Sequence, residues 1–530
     1  MNERLVEDWL AKANERSYQT PFAQALLADG MQVLRVGHGP HEHGKDIIAI
    51  DPNGGIHAYQ LKDGDLDIKQ FENGLGQIYA LVEAQVEHPA ISGCPQHQPW
   101  LVVSGSTSMP VEDRIRVQNL GWKKRGYKPL RTINGAQLLQ KFANMAASFW
   151  PQLPADSSRL FNLYLADGSS SLNRQALAQL INGTTLPGTK TKKAEIARRL
   201  SAANLFTSYS LSPFYKSHNH WELVQGWTIT AAQIAWSADT ARVPRKAWHP
   251  TFRLAVDAAL CSLGDLANEA LQPNALGPRG FELDELTRSR CTICAGAMAG
   301  KILIELHHRR QWPQEGLAKE TLERLFIERR LVVWGESAIP FFLAAMWALD
   351  NLRGDQFSDT ILFVALSLVV RQNCRLSAPK LPPPYDSADE ANAKALRRLF
   401  ENEKAMETQA TASYTLEPLV TIAARRLWRN LLAGLWSPIT KIDLVRLVPD
   451  DPNDLLLWSW GHERGSNQTR LFPAPQSWRE LLLESRRDES GALPEAIKQE
   501  FDFAVLFLLC FPHRLTNALV KYFEAHTRTL

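Results

Sequence analysis

Three runs near the N-terminus, 31–36, 46–50 and 56–61, are short, apolar and rich in β-branched residues, with Gly, Pro and Asn between them, which is the pattern of strands. Upstream, Thr20 followed by Pro21 reads as an N-cap and a first helical position, so 22–29 is expected to be a helix closed by Gly30. Downstream, Phe71, Leu75, Ile78, Tyr79 and Val82 recur at helical spacing and predict a helix over 68–86. A strand at 100–104, a helix at 111–120, a strand at 130–133 and a helix at 136–142 follow. One helix, three strands and then alternating helices and strands make an α/β sandwich of residues 1–150.

Beyond residue 205 the period becomes helical almost throughout, with long helices predicted over 252–269, 283–308, 317–332, 340–352 and 359–373. A proline-rich stretch at 379–385 separates these from another helical block that runs to the C-terminus. The expected organisation is therefore a sandwich (1–150), a linker with a basic helical hairpin (151–205), a helical domain (206–376), a proline-rich linker (377–392) and a C-terminal helical domain (393–530). The helices 340–352 and 359–370 are apolar nearly all round and demand burial from every side. Higher-order contacts, a homo-oligomer among them, are expected of this helical part.

Charge and composition narrow the function classes. The 530 residues carry 59 Lys and Arg against 56 Asp and Glu, a net +3, so any surface for nucleic acid must be local. The longest apolar stretches, 361–370 and 503–509, reach about half of the roughly 20 residues that span a bilayer. The start, MNERLVEDWLAK, is charged from its third residue and lacks a signal-peptide pattern. No membrane association and a cytoplasmic location are expected. Six cysteines, mostly in apolar helical runs, form no disulfide framework. Cys291 and Cys294 have no second pair at zinc-site spacing and are read as buried helix residues.

The informative stretch is 44–62, GKDIIAIDPNGGIHAYQLK, a hairpin whose loop is Asp51 to Gly55. If Ile50 pairs with Ile56, Asp46 stands opposite Gln60, and the period of two puts Lys62 on the same face as Gln60. A carboxylate, an amide oxygen and an ammonium then share one patch. The two oxygens suit a hard cation such as Mg²⁺, which activates water and neutralises phosphoryl charge, while Lys62 can hold an attacking hydroxide or a phosphoryl oxygen.

Taken with the later elements, WLVVSGST at 100–107 and LRTINGAQLL at 130–139, this pattern resembles the Mrr-type branch of the restriction-endonuclease-like (PD-(D/E)XK) superfamily over about residues 15–145. In that family the D/E-x-K motif often appears as Q-x-K, matched here by Gln60-Leu61-Lys62, and the preceding Asp, here Asp46, is the principal metal ligand. The resemblance implies a DNA nuclease dependent on Mg²⁺ or Mn²⁺, with Asp46 and Gln60 on the metal. The family usually adds a Glu on the first helix, about eleven residues before its closing Gly; from Gly30 this count reaches Gln19, with Glu15 one turn earlier. Pro21 argues against one continuous helix through both. The fragment Glu15-Arg-Ser-Tyr18-Gln19 also resembles the helix signature of defence-effector nucleases with Tyr-Gln there, so both Gln19 and Glu15 are candidates. By the same analogy the helical part gates the nuclease within a bacterial anti-phage system, with a partner protein from the same operon. The alternative is an endonuclease-like DNA-binding or scaffold protein that has lost activity.

His38, His41 and His43 precede Asp46 in a glycine-flanked loop and are read as an entrance loop rather than a zinc site. Residues 172–200 resemble the SAP helix–turn–helix, and Lys190, Lys192 and Lys193 in its turn are candidate phosphate contacts without base readout. The near P-loop Gly296 to Lys301 lacks its Ser/Thr and falls in a helix, and the tryptophans Trp221, Trp227, Trp236 and Trp248 are read as core or interface anchors. Replacing Lys190, Lys192 and Lys193 with Glu should weaken duplex binding and lower the slope of log K against log salt by up to about three, close to one per phosphate contact. A salt titration with unchanged slope would leave the turn a structural hairpin.

Overall fold

Parallel neighbours in a sheet need a crossover whereas antiparallel ones need only a turn, and this rule orders the N-terminal elements. In a computed structural model, helices α1 (Asn2–Lys12) and α2 (Glu15–Ala28) precede β1 (Gln32–Val36), β2 (Ile47–Ile50) and β3 (Ile56–Lys62). Helices α3 (Ile68–Asn73) and α4 (Leu75–Glu83) lead to β4 (Gln98–Val103), and α5 (Met109–Lys124) leads to β5 (Arg131–Ile133) and α6 (Gly135–Ala146). The structure describes residues 2–530 apart from 37–43, 87, 89, 92–95, 147–153, 187–192, 278–283, 354, 375–379, 401–411, 459–464, 475 and 528–530. Its contacts group into two units, Met1–Cys261 and Ser262–Leu530.

In the first unit the five strands lie side by side in chain order, antiparallel from β1 to β3 and parallel from β3 to β5. Alternation divides the sheet into two faces. Ile48, Ile56, Ala58, Leu101 and Val103 pack with Phe71, Ile78, Leu81, Val111, Ile115 and Trp122 of the crossover helices. The other face carries His57, Tyr59 and Trp100 and meets α2, where Phe22 lies edge-on to Tyr59 at 5.3 Å. The helix expected over 68–86 is two helices, because Gly74 caps the end of one and the start of the next. Helix α1, which the sequence reading did not include, buries Trp9 against Phe142 of α6.

The expectation that Pro21 breaks the first helix is overturned. Helix α2 starts six residues earlier than Pro21, with the Asn14 side chain accepting from the Ser17 amide at 2.9 Å, and runs through the proline. A proline at position 21 has no N–H to offer the carbonyl of Ser17, one turn back, and a buried unpaired carbonyl is costly. The hydroxyl of Ser208 donates to that carbonyl instead. Ser208 belongs to α9 (Lys193–Ser210), which with α7 (Pro154–Tyr164), α8 (Arg174–Thr185), α10 (Ser212–Lys216), α11 (His220–Thr240) and α12 (Arg245–Ala270) completes the helical set that begins in this unit. Beside it, Asn204 donates to the Gln24 side chain at 3.0 Å. The second helix of the SAP-like segment extends to Ser210, beyond its expected end, as Leu205, Phe206 and Tyr209 prolong its buried face. Trp227 and Trp236 of α11 are buried.

The second unit holds α13 (Glu285–His307), α14 (Glu315–Ile327), α15 (Ile339–Arg353), α16 (Asp355–Asn373), α17 (Ala388–Phe400), β6 (Ala412–Ser413), α18 (Leu416–Arg425), α19 (Arg429–Ile439), β7 (Asp443–Pro449) and β8 (Gly465–Arg470). It closes with α20 (Trp478–Arg486), α21 (Glu495–Gln499), α22 (Phe501–Cys510) and α23 (Asn517–Thr527). Its C-terminal block is therefore not wholly helical: β6, β7 and β8 form a three-stranded sheet. The buried Glu336 secures the approach to α18, accepting from Ser413 Oγ at 2.5 Å, from Asn373 Nδ2 at 3.0 Å and from the amides of Tyr414 and Thr415. Burial pushes its carboxyl up to about 7, against four donors that all favour the charged form. The near P-loop lies inside α13, where a Cβ at Gly296 would come within 2.2 Å of the Phe341 ring, so this glycine serves helix packing. Among the described residues no helix is long and apolar enough to cross a membrane.

Ser208→Ala should destabilise the first unit by about 1–3 kcal/mol by orphaning the Ser17 carbonyl. Adding Pro21→Ala, which restores an N–H to that carbonyl, should recover most of the loss in denaturant titrations; no recovery would mean that the hydroxyl acts elsewhere.

Candidate active site

The turn after β2 sets the register of the hairpin. Asp51 Oδ1 accepts from the amides of Asn53 at 2.8 Å and Gly55 at 2.9 Å, and Gly54 takes a φ of +84°. Ile50 then faces Ile56 and Ile47 faces Tyr59, the register anticipated from loop length. Asp46, one residue before β2, donates its amide to the Tyr59 carbonyl at 2.8 Å. Its carboxylate Oδ2 accepts from Gln60 Nε2 at 3.0 Å and from the Leu61 amide at 2.6 Å.

Helix α2 brings the other candidates to the same end of β3. Glu15, in its first turn, accepts from Lys62 Nζ at 3.0 Å, with both side chains about a quarter exposed. Gln19, one turn on, donates to the Asp46 carbonyl at 3.3 Å. Thus Asp46, Gln60 and Lys62 are brought together with Glu15 and Gln19, the last through a backbone atom rather than a carboxylate. Burial raises the Glu15 carboxyl above its ordinary range, Lys62 pulls it back, and the charges of Asp46 and Asp63 raise it further.

Tyr18 carries a role that the sequence reading did not assign. Its hydroxyl donates to the Lys62 carbonyl at 2.8 Å and pins the strand end from which Lys62 projects; burial pushes the phenol well up, so it stays a donor. The signal was its spacing: Glu15, Tyr18 and Gln19, at i, i+3 and i+4, share one face once the helix starts at Glu15, ahead of Pro21. Gly44 is the second such residue. Its φ of +70° is left-handed, and a Cβ there would lie 2.5 Å from the Gln77 carbonyl and 3.0 Å from Gln60 Oε1.

Gln60 Oε1 is buried and accepts no hydrogen bond among the described residues. A buried acceptor without a donor, beside one carboxylate and on the same strand end as a lysine paired to another, is a place that a hard cation satisfies. Among the described residues no three His, Cys, Asp or Glu side chains gather into a metal cluster. The oxygens that could hold such an ion are those of Asp46 and the Gln60 amide, a set that would suit Mg²⁺ because that ion keeps several waters. His38, His41, His43, Lys190 and Lys192 lie outside the described residues, and Lys193 opens α9.

No protein-family model, curated protein or solved structure matches this chain.

Gln60→Glu replaces the amide donor by a second carboxylate 3.0 Å from Asp46. The variant should lose on the order of 2 kcal/mol or more of stability without divalent metal, from like-charge repulsion and the lost hydrogen bond. Millimolar Mg²⁺ should return it, giving a larger metal-induced rise in Tm than the parent shows. An equal Mg²⁺ response in both proteins would remove Gln60 from the cation site.

Proposed function

We propose that the first unit is a metal-dependent nuclease of restriction-endonuclease-like fold, Mrr-type in its Q-x-K motif, that hydrolyses phosphodiester bonds of DNA. The observation that carries this reading is the pairing of Asp46 with Gln60, whose amide oxygen is buried without a donor among the described residues, at the strand end where Lys62 meets Glu15. Asp46 and Gln60 would hold Mg²⁺ or Mn²⁺, which when bound lowers the pKa of water and neutralises charge on the phosphoryl oxygens. Lys62 donates from its ammonium to the attacking hydroxide or to a non-bridging oxygen as negative charge grows there. Glu15 aims the ammonium, and Tyr18 fixes the backbone behind it. Water adds its oxygen to phosphorus, the bond from phosphorus to the leaving sugar oxygen breaks, and that oxygen takes up a proton. A nuclease of low sequence specificity needs restraint, and the helical remainder of the chain supplies it in this reading, as an effector of anti-phage defence acting with a partner protein or as a homo-oligomer.

Asp46→Asn should reduce Mg²⁺-dependent cleavage of duplex DNA at least about 100-fold while the protein stays folded, and Lys62→Ala should do likewise. Cleavage by folded Asp46→Asn at the parent rate would overturn the site. Duplex binding by a parent protein that cuts neither DNA nor RNA would favour the inactive DNA-binding or scaffold reading.

A further inference from the structure

Behind the strand that carries Gln60 and Lys62, the sheet's opposite face forms one wall of a cavity of about 850 Å³, within the range of roughly 300–1,000 Å³ usual for small-molecule sites. That wall is aromatic. The rings of His57, Tyr59 and Trp100 lie within 15–18° of parallel, with centroids 6.1–6.3 Å apart. The facing contribution comes from α6, whose Gln137, Gln140, Lys141 and Asn144 line the cavity at the i, i+3, i+4 and i+7 spacing of one helix face.

The hydrogen bonds of the aromatic wall determine what it offers. Trp100 Nε1 donates to His57 Nδ1 at 2.9 Å, so the other ring nitrogen, Nε2, carries the proton and donates to Asp51 Oδ2 at 3.0 Å. The His57 hydrogen bond and the amides of Gly55 and Asn53 hold the Asp51 carboxyl below its ordinary range, so it remains charged. Both nitrogens of His57 are thus engaged, which removes it as a general base and leaves ring surface as the wall's main offering. The remaining charges are compensated as well, since Lys141 is paired with Asp29. A phosphate inside would have to break that pair. Gln140 and Asn144, by contrast, are exposed and engage no hydrogen-bond partner among the described residues. Each offers a donor and an acceptor side by side.

From these features we infer that the cavity takes a nucleobase, stacked on the Trp100–Tyr59–His57 wall and read along its edge by the amides of Gln140 and Asn144. Aromatic side chains stack on the face of any base, and a Gln or Asn amide matches the adjacent donor and acceptor of adenine. Sugar and any phosphate stay outside, on the side of the exposed Arg131, whose guanidinium lies 5.4 Å over the Trp100 ring. The assignment does not rest on the nuclease reading.

The test is calorimetric titration of the full chain with adenosine and, separately, with a short oligodeoxyadenylate. Adenosine has no phosphate and is not drawn by lysines or by a cation site, so its binding reports on the cavity. Saturable adenosine binding, weakened at least tenfold by Trp100→Leu and by the surface double variant Gln140→Leu/Asn144→Leu, would support the proposal and assign the base to a free nucleoside or nucleotide. Oligodeoxyadenylate binding with the same two sensitivities, without adenosine binding, would support it with the base supplied by a strand. Absence of saturable binding of either probe into the millimolar range, or binding unchanged in both variants, would overturn it. The double variant lies on an exposed helix face, so a misfolded Trp100→Leu does not remove the test.

Discussion

A single carboxylate oxygen, Asp46 Oδ2, ties the start of one strand to the end of the next by accepting from the Leu61 amide and the Gln60 side chain. Everything proposed for the site depends on this junction. It points Gln60 inward with one oxygen left over and sets where β3 ends and Lys62 departs. Because the acceptor is buried and charge-assisted, each of its bonds is worth more than a neutral one at the surface. Glu15 and Tyr18 then act on Lys62 from a different element, one through its ammonium and the other through its carbonyl. The strand end is thus held from two directions, and neither hold requires the other.

How much of this could be read from the chain depends on the distance over which each cause operates. The hairpin was legible because the Asp51 side chain and Gly54 fix the turn within five residues, and the period of two carries Asp46 to Gln60 from there. The breaks at helix ends were less so. Arg242, Arg309, Arg329 and Leu427 take left-handed φ of 51–63° just past α11, α13, α14 and α18, positions where glycine is the usual signal, and α14 accordingly stops short of its expected end. The sheet in the second unit was hidden for another reason: β6 has two residues, and β7 is mostly half-buried, without the clear alternation that marks a strand. The continuity of α2 was out of reach altogether, since the hydroxyl that compensates Pro21 lies far along the chain.

Strand β3 carries both the candidate site and the cavity wall on one short segment. Adjacent residues point to opposite faces, so Tyr59 lines the aromatic cavity while Gln60 reaches Asp46. The two faces share a backbone but no side chain. A group seated against Tyr59 would press on the same peptide units that position Gln60, and Trp100, paired with Tyr59 across the parallel ladder, would spread that load to β4.

The proline in α2 also bears on the order in which the protein is made. Ser17 and Ser208 are 191 residues apart. At 5–20 residues per second, a ribosome needs roughly 10–40 s to go from one to the other. Through that interval the sheet and its crossover helices have all been synthesised, yet the helix that presents Glu15 still lacks the partner for its orphaned carbonyl. The emerging chain therefore passes through a stage in which the strands can pair while the Glu15 arm is not yet locked, and the candidate site has all its elements only when α9 arrives.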